Sequence, residues 1–194
     1  LNPVRGILSS AEIDGLVNQT LTHGGLISYK QNMDGTQSPY EMNINYFDAL
    51  SDPNGNEPLE MQIDRFMAAQ ASMLSLIGLP GIYFHSMFGS RNWQAGVQMT
   101  KHNRTINRQK LMYAELEKQL ADSNSLGSQI FTRYRQLLSA RSSSAAFHPH
   151  GSQKSLDVGK GIFAVLRVSP DGRQQILCLQ NVTTHEQHVE GLSS

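Results

Sequence analysis

The chain is 194 residues long, enough for one large domain or two small ones with a buried core. Its 16 Lys and Arg residues are balanced by 16 Asp and Glu residues, and neither sign forms a run. Proteins that bind nucleic acid or an anionic membrane usually carry a basic patch. The charge pattern therefore predicts no nucleic-acid partner and no membrane partner.

Cysteine usage and hydropathy predict a cytoplasmic protein. Cys178 is the single cysteine, so one chain cannot form an internal disulfide, and its apolar neighbours in sequence favour an inert, buried thiol. The longest apolar stretch, around residues 79–88, is interrupted by Pro80 and Gly81 and is too short to span a bilayer. The N-terminus has no signal-peptide pattern. Because the sequence starts at Leu1 and not at methionine, we expect it to be a piece of a longer protein.

The first predicted elements are a short amphipathic helix and a long loop. Ser9 and Glu12 form a capping-box pattern, and apolar residues then recur at helical spacing as far as Gly24. From Gly24 to Pro58 the sequence is rich in Gly, Ser, Asn and Asp, which predicts a loop. Aromatic residues within this stretch indicate that the loop is ordered.

A helix and then a fully apolar strand are predicted next. Pro58 suits the first turn of a helix that extends to about Ile77. The stretch from Gly78 to Phe88 is apolar on both faces, which is typical of a strand in a parallel sheet covered by helices. In an α/β barrel the active site lies on loops that follow such strands, here Gly89 to Arg104. A buried strand with an ordinary surface loop is the alternative.

Two further helices and a β-rich end follow. Helical spacing covers residues 106–121 and 126–141, and a Ser-, His- and Gly-rich segment at 142–160 is a candidate domain boundary. Alternating residues then predict strands over 161–168 and 174–182, joined by a Pro-Asp-Gly turn. Because an isolated hairpin buries too little apolar surface, we expect further strands to follow it in an intact protein.

No metal site, nucleophile motif or cofactor-binding motif is evident in the sequence. His148, His150, His185 and His188 lack a convincing third ligand nearby and are expected at the surface. His85 lies in the apolar stretch, where it could face a sugar pocket, but a hydrogen-bonded core histidine is the favoured interpretation. We therefore expect neither a metal nor a cofactor.

Two segments carry groups that could bind a sugar. Arg104 and Arg108 offer guanidinium groups that can bind a carboxylate, a phosphate or sugar hydroxyls, although two such arginines are more often surface charges. Tyr40, Glu41 and Asn43 provide an aromatic ring, an acid and an amide, which occur in carbohydrate subsites and in many other places. Spacing alone therefore predicts an α/β protein with a β appendage, and no particular reaction.

Three motifs together resemble a known family. They are Tyr40-Glu41-Met42-Asn43, the stretch GLPGIYF at 78–84 and the stretch NRTINR at 103–108. Their order and spacing resemble the carboxyl-terminal part of sucrose phosphorylase and its relatives, which are glucoside phosphorylases of glycoside hydrolase family 13. The resemblance covers nearly the whole chain.

The resemblance implies the carboxyl-terminal part of a (β/α)8 TIM barrel with a loop-rich insert, followed by the start of an all-β domain. Residues 1–57 would be the insert between barrel strand 7 and helix 7. Residues 58–144 would contain the last barrel helix, strand 8 and the following helices, and residues 145–194 would begin the C-terminal β domain. The missing amino-terminal part of the same barrel would then be a partner, and a homodimer is also left open.

The family mechanism implied by the resemblance is a double displacement. In the intact enzyme inorganic phosphate attacks a glucosyl-enzyme and releases α-glucose 1-phosphate. The nucleophile and the acid/base are expected upstream of Leu1, so this fragment alone would be inactive. The acids within the chain are expected to lie on loops or helix surfaces, and the ones considered are Asp48, Glu57, Glu60 and Asp64.

The resemblance also implies substrate-binding residues. Arg104 matches the arginine that fixes glucose in the donor subsite, and Tyr40, Glu41 and Asn43 match a loop that contacts the acceptor and phosphate. The family typically has glutamine at the Glu41 position, so glutamate makes sucrose doubtful and points to another glucoside such as glucosylglycerate. The competing hypothesis is a stand-alone carbohydrate-binding or interaction module without catalysis.

Overall fold

The computed structural model describes residues 1–189. Within them, the α-helices are α1 (Ser10–Thr22), α2 (Tyr46–Leu50), α3 (Leu59–Ser75), α4 (Gln94–Thr100), α5 (Tyr113–Ala121) and α6 (Leu126–Ser142). The strands are β1 (Leu26–Gln31), β2 (Gln37–Asn43), β3 (Ser152–Leu156), β4 (Ile162–Val168) and β5 (Gln175–Asn181). The chain divides into two compact units, one made of Leu1–Gln62 and Tyr83–Ser128, the other of Ile63–Ile82 and the chain from Gln129 onward.

The first unit begins with α1, as the sequence predicts. The Ser9 hydroxyl accepts a hydrogen bond from the Glu12 amide at 3.3 Å, and the Glu12 carboxylate accepts one from the Ser9 amide at 2.8 Å. This reciprocal pair satisfies two amide groups that would otherwise have no partner at the start of the helix. Val17 and Thr20 are the buried residues of α1.

The segment predicted as one long loop contains a β-hairpin and the short helix α2. β1 and β2 pair antiparallel, with a bulge between Ser28 and Tyr29. At the tip, the Asp34 carboxylate accepts a hydrogen bond from the Thr36 amide at 3.0 Å. Apolar and polar residues alternate over residues 27–30 and 40–43, which is a strand signal, but it lasts only four residues in each strand and lies within a loop-like composition. The segment is ordered as expected, but the prediction of a continuous loop is wrong.

The helices α3 and α6 confirm the predicted helices at 58–77 and 126–141 to within two residues. In the second unit Ile63, Phe66 and Ile130 are completely buried. Tyr134 is also buried, and its hydroxyl donates to Gln70 Oε1 at 2.6 Å. No helix of residues 1–189 combines the length and the hydropathy needed to cross a membrane.

The predicted strand between Gly78 and Phe88 does not form. Residues 78–83 have no regular structure, and Phe84–Phe88 is a 3-10 helix. A parallel strand needs a neighbour to satisfy its amide and carbonyl groups, and each pair of strands in the described part of the chain is antiparallel. Without a parallel neighbour, Tyr83 and Phe84 are about half exposed. Apolar composition alone was therefore insufficient to predict a strand here.

The predicted helix at 106–121 is shorter than expected. A 3-10 helix spans Asn103–Asn107, and α5 begins only at Tyr113. The Ile106 carbonyl accepts a hydrogen bond from the Trp93 amide at 2.8 Å, and the Asn107 carbonyl accepts one from the Tyr83 hydroxyl at 2.6 Å. These carbonyls are engaged by residues distant in sequence instead of by the next helical turn. The hydrogen bonds fix the backbone that carries Arg104.

The second unit contains an antiparallel sheet with β4 between β3 and β5. The predicted hairpin is confirmed, because Val168 pairs with Gln175 and the turn between them has Gly172 at a φ of 73°. The third strand, β3, comes from the segment predicted as a domain boundary, and its sequence, SQKSL, has no apolar alternation. The hairpin is therefore joined by a third strand that precedes it in the chain.

Arg167 on β4 is fully buried in the second unit. Its guanidinium lies 5.8 Å from the ring centre of Phe147. It also donates hydrogen bonds of 3.1 to 3.2 Å to the carbonyls of Ser75, His148 and Ser152. Burial lowers the pKa of this guanidinium. The hydrogen bonds of this guanidinium therefore connect the end of α3, the loop before β3 and the start of β3.

Candidate functional site

The structure brings together two of the sequence-predicted site residues, Arg104 and Glu41. Strand β2 carries Glu41, and the 3-10 helix Asn103–Asn107 carries Arg104. Arg104 Nε donates to Glu41 Oε2 at 2.8 Å, and both side chains remain partly exposed. The hydrogen bond and the negative charge of Glu41 raise the pKa of Arg104. A charged guanidinium is therefore held at the surface of the first unit with part of its donor fork free.

Contacts with the hairpin hold the 3-10 helix in place. The Asn103 amide donates to the Ile27 carbonyl at 3.2 Å, next to the strand pairing of β1 and β2. At the other end of the helix, the Asn107 amide donates to the Ile44 carbonyl at 3.5 Å. The pairing of Arg104 with Glu41 is thus supported on both sides by asparagine side chains, whose Nδ2 atoms donate to these backbone carbonyls.

Tyr40 and Asn43, the other predicted site residues, have different environments. Tyr40 is 41 % exposed. Asn43 is 2 % exposed, and its Nδ2 donates to the Ser28 hydroxyl at 2.9 Å and to the carbonyls of Leu26 and Glu41, each at 3.3 Å. The Asn43 amide therefore holds the hairpin together, whereas the Tyr40 ring is accessible to a ligand.

An open pocket lies beside Arg104. Its volume is ≈ 590 Å³, and its lining is polar and basic, comprising Ser28, Lys101, His102, Asn103, Arg104, Thr105 and Arg108. The structure therefore places Arg108, the second arginine considered from sequence, in the same pocket as Arg104. The pocket is large enough for a small sugar or an organic acid, and its charged groups favour an anion.

Sequence reasoning missed a buried ion pair behind this site. Asp48, predicted as a surface acid, has a side chain that is 1 % exposed and accepts from Arg91 Nη1 at 2.9 Å and from the Asn92 amide at 2.6 Å. Arg91 also donates to Gln62 Oε1 at 2.9 Å and lies 4.6 Å from the ring centre of Phe47. The prediction for Asp48 is wrong because its partner is 43 residues away in sequence, and no local pattern reveals the pair.

Two asparagines connect this ion pair to the helix that carries Arg104. The Asn45 amide donates from Nδ2 to the Arg91 carbonyl at 2.6 Å and to the Ile106 carbonyl at 3.3 Å. The backbone amide of Asn45 donates to Asn92 Oδ1 at 2.8 Å. The network therefore joins α2, the loop after Gly89 and the 3-10 helix, and it supports the local geometry of the candidate site.

The histidines agree with their predicted environments. His85 is buried and its Nδ1 is 2.9 Å from the Ser90 hydroxyl, and burial lowers the pKa of the ring. This is the hydrogen-bonded core histidine favoured from sequence. The four histidines expected at the surface are exposed, namely His148, His150, His185 and His188. Among residues 1–189 no group of three or more His, Cys, Asp or Glu side chains could hold a metal ion.

Cys178 is half-buried on β5 of the second unit. Burial raises the pKa of its thiol, although the charges of Arg167 and Arg141 act in the opposite direction. The protonated and less reactive form of the thiol is thus favoured at neutral pH. This agrees with the inert thiol expected from sequence.

Comparison with known proteins identifies the relatives of this chain. It is 48 % identical over 185 residues to a glucosylglycerate phosphorylase of Spirochaeta thermophila, a match that covers 95 % of this chain and 31 % of the relative. The chain is a homologue of glucosylglycerate phosphorylases. Proteins with the same name from Allomeiothermus silvanus and Escherichia coli are 44 % and 38 % identical over 96 % and 97 % of this chain, and each is covered to 33 %. No family model matches the chain.

A solved structure supports the same relationship at the level of the fold. The sucrose 6F-phosphate phosphorylase from Thermoanaerobacter thermosaccharolyticum aligns with 91 % of this chain at a TM-score of 0.65 and 19 % identity. The match covers 35 % of that protein. The sequence relatives and this fold similarity together confirm the resemblance to glucoside phosphorylases that the three motifs indicate. The chain spans about a third of the length of the phosphorylases that it matches.

Proposed function

We propose that this chain is part of a retaining α-glucoside phosphorylase that transfers glucose from an α-glucoside to inorganic phosphate and releases α-glucose 1-phosphate. The observation that carries the proposal is the 48 % identity to a glucosylglycerate phosphorylase over 95 % of the chain. The two further relatives with the same name support glucosylglycerate as the glucoside, in preference to sucrose. The acid at Glu41 supports the same choice.

We further propose that the intact protein is a (β/α)8 barrel enzyme of glycoside hydrolase family 13. Residues 1–57 would form the insert between barrel strand 7 and helix 7, residues 58–144 the last barrel helix and the helices that follow, and residues 145–194 the start of a β domain. Residues 78–88, which form no strand here, would become strand 8 only beside the missing strands of the barrel. The fold similarity to sucrose 6F-phosphate phosphorylase supports this placement. The single cysteine supports a reducing, cytoplasmic location.

Arg104, Glu41 and Tyr40 have separate roles in this proposal. Arg104 donates hydrogen bonds to the hydroxyls of the transferred glucose, which a planar guanidinium can do at a fixed angle. Glu41 orients Arg104 from one side and accepts hydrogen bonds from the acceptor. Tyr40 presents an accessible ring against the sugar. Asn43 contributes through the hairpin, because it orients the loop that carries the other two residues.

The bond-making carboxylates belong to another part of the intact protein in this proposal. A retaining enzyme of this type uses two carboxyl groups roughly 5 to 5.5 Å apart, one as nucleophile and one as acid/base. Within the first unit, Glu41 is paired with Arg104, and Asp48 is buried against Arg91. Both acids are committed to arginines, which supports a binding role for this segment and a catalytic role for residues elsewhere.

The test is phosphorolysis by the intact protein. Glucose 1-phosphate release from 2-O-α-glucosylglycerate and from sucrose is measured at equal concentrations of inorganic phosphate. We expect faster release from glucosylglycerate. Equal or faster release from sucrose would contradict the choice of substrate. Binding of glucosides without any release would instead support a carbohydrate-binding module.

A further inference from the structure

The pocket beside Arg104 has an excess of positively charged side chains over negatively charged ones. Lys101, Arg104 and Arg108 line it, and none of the lining residues is acidic. Within residues 1–189, Glu41 forms an ion pair with Arg104, but no acid lies within ion-pairing distance of Lys101 or Arg108. Both of these side chains are exposed. The pocket therefore presents two uncompensated cations next to the paired guanidinium of Arg104.

The backbone that presents Lys101 has an unusual conformation. In the described part of the chain, Lys101 is the one residue other than glycine with a positive φ, 57°. Lys101 is the C-terminal cap of α4, and a left-handed residue is a common way for a helix to end. Here the Lys101 amide donates to the Val97 carbonyl at 2.8 Å, and the Thr100 and Thr105 hydroxyls are 2.7 Å apart. The end of α4 and these hydrogen bonds therefore present Lys101 to the pocket.

Other polar groups in the pocket add further hydrogen-bond donors. The Ser28 hydroxyl accepts from Asn43 Nδ2 at 2.9 Å, which leaves its own hydrogen free to donate. His102, next to Lys101, also lines the pocket and is exposed. Two unpaired cations with neighbouring neutral donors are the combination that binds oxyanions. An uncharged sugar would leave the positive charges without partners.

We propose that this pocket binds an oxyanion through Lys101 and Arg108, the anion being inorganic phosphate or the carboxylate of an organic acid. The choice of these two anions rests on the proposed function, in which phosphate and glycerate take part. Binding itself requires no turnover. The proposal adds two residues and a defined anion subsite to the site that contains Arg104 and Glu41.

The experiment measures anion binding to the intact protein that contains this chain, by calorimetric titration in the absence of any glucoside. Inorganic phosphate and glycerate are the probes, and glycerol is the neutral control. Lys101→Gln and Arg108→Gln should each weaken binding by about 3- to 10-fold, the scale for losing one charged partner in an open pocket. Lys110→Gln is the matched control, since Lys110 is exposed, lies two residues from Arg108 and does not line the pocket.

The outcomes separate this proposal from the proposed function. The proposal would be overturned if Lys101→Gln and Arg108→Gln bound the anions as tightly as the Lys110→Gln control, or if the parent protein bound neither anion. Either result would count against it even if glucose 1-phosphate is released. Weaker binding in the Lys101 and Arg108 variants alone would support it even if turnover is absent. If the protein binds phosphate but not glycerate, the pocket is a phosphate subsite. If it binds glycerate but not phosphate, the pocket is a carboxylate subsite. As a measurement that needs no variant, the amide resonances of residues 100–105 should shift on titration with the bound anion.

Discussion

Arg104 and Glu41 are 63 residues apart in sequence, yet the Arg104 Nε is 2.8 Å from Glu41 Oε2. The side chains are 54 % and 33 % exposed, and ion pairs in such positions contribute little to folding stability. The pair is therefore better suited to orienting a guanidinium than to stabilising the fold. Its two members come from different elements, β2 and the 3-10 helix Asn103–Asn107, so the site depends on how these elements pack.

Arg104→Ala should reduce phosphorolysis without unfolding the intact protein. We expect kcat/KM for glucosylglycerate to fall by about 100-fold, because misplacement of the transferred group has effects of this size. The melting temperature should change little, since the side chain is exposed. Arg104→Lys is the control, because it keeps the charge but loses the planar fork, and it should recover only part of the activity. An unchanged rate in Arg104→Ala would remove this residue from the site.

Glu41→Gln should alter the selectivity of the intact protein more than its stability. Glutamine has nearly the same shape, but it lacks the negative charge and can donate a hydrogen bond as well as accept one. We expect the ratio of kcat/KM for glucosylglycerate to that for sucrose to fall by about tenfold, the effect of one altered polar contact. Glu60→Gln, an exposed acid on the second residue of α3, is the control. A ratio that stays constant or rises in Glu41→Gln would contradict this role.

Asp48→Asn should destabilise the first unit. It weakens the pairing of a buried carboxylate with Arg91 and with the Asn92 amide. Because Arg91 is 37 % exposed and can recover some hydration, we expect a loss of about 2 kcal/mol in the free energy of unfolding. Urea unfolding of the chain measures this loss. Asp14→Asn, at an exposed position of α1, is the control and should have little effect.

A double-mutant cycle identifies Arg91 as the partner that matters. Arg91→Gln alone should be destabilising, and the combination with Asp48→Asn should cost less than the sum of the two single changes. Additive effects would show that the two side chains act independently.

The sequence predicts elements whose signals are local. Helices α3 and α6 have a continuous apolar stripe, and the hairpin of β4 and β5 has alternation and a turn with glycine. β1, β2 and β3 were missed because they are rich in polar residues and only partly buried, and the alternation in β1 and β2 lasts only four residues. The stretch at 78–88 has the composition of a buried strand, but a strand also requires a neighbour with free hydrogen-bonding groups.

In the candidate site too, residues in short motifs could be predicted from sequence, whereas residues paired across the chain could not. The motifs around Glu41 and Arg104 could be recognised from sequence, because each is a short run of characteristic residues. The buried pair of Asp48 and Arg91 could not, since two single residues 43 positions apart form no pattern. Lys101 likewise has no local signature, and its left-handed backbone is fixed by contacts within the folded loop. Motifs thus point to the proposed ligand-binding groups, and the fold supplies the residues that position them.

Arg167→Met should destabilise the second unit although methionine fills a similar volume. Three carbonyls now accept hydrogen bonds from the Arg167 guanidinium, and they would lose this donor in a buried environment. We expect a loss of about 3 kcal/mol in the free energy of unfolding, measured with urea. Arg167→Lys keeps a charge but cannot donate in three directions from a planar group, so it should recover little. Arg173→Met, at an exposed arginine, is the control; an equal effect of both methionine variants would refute the role of Arg167.

The chain should lose stability as the pH falls from about 6.5 towards 5, and His85 should be responsible. Burial lowers the pKa of His85 in the folded state below its ordinary value of 6.5, so the unfolded state binds the proton more readily in this range. The free energy of unfolding is therefore highest above pH 6.5 and decreases as the pH falls. Melting temperatures at pH 7.5, 6.0 and 5.0 measure this dependence.

His85→Gln provides the control for this pH dependence, because glutamine can still bond to the Ser90 hydroxyl but does not titrate. The variant should show a flatter profile between pH 6.5 and 5. The carboxyl groups of Glu12, Asp34 and Asp171 have lowered pKa values from hydrogen bonds, so their contribution is lost only as the pH falls below about 4.5 and lies outside this window. A parent chain with a flat profile, or a variant with the same slope as the parent, would rule out His85 as the titrating group.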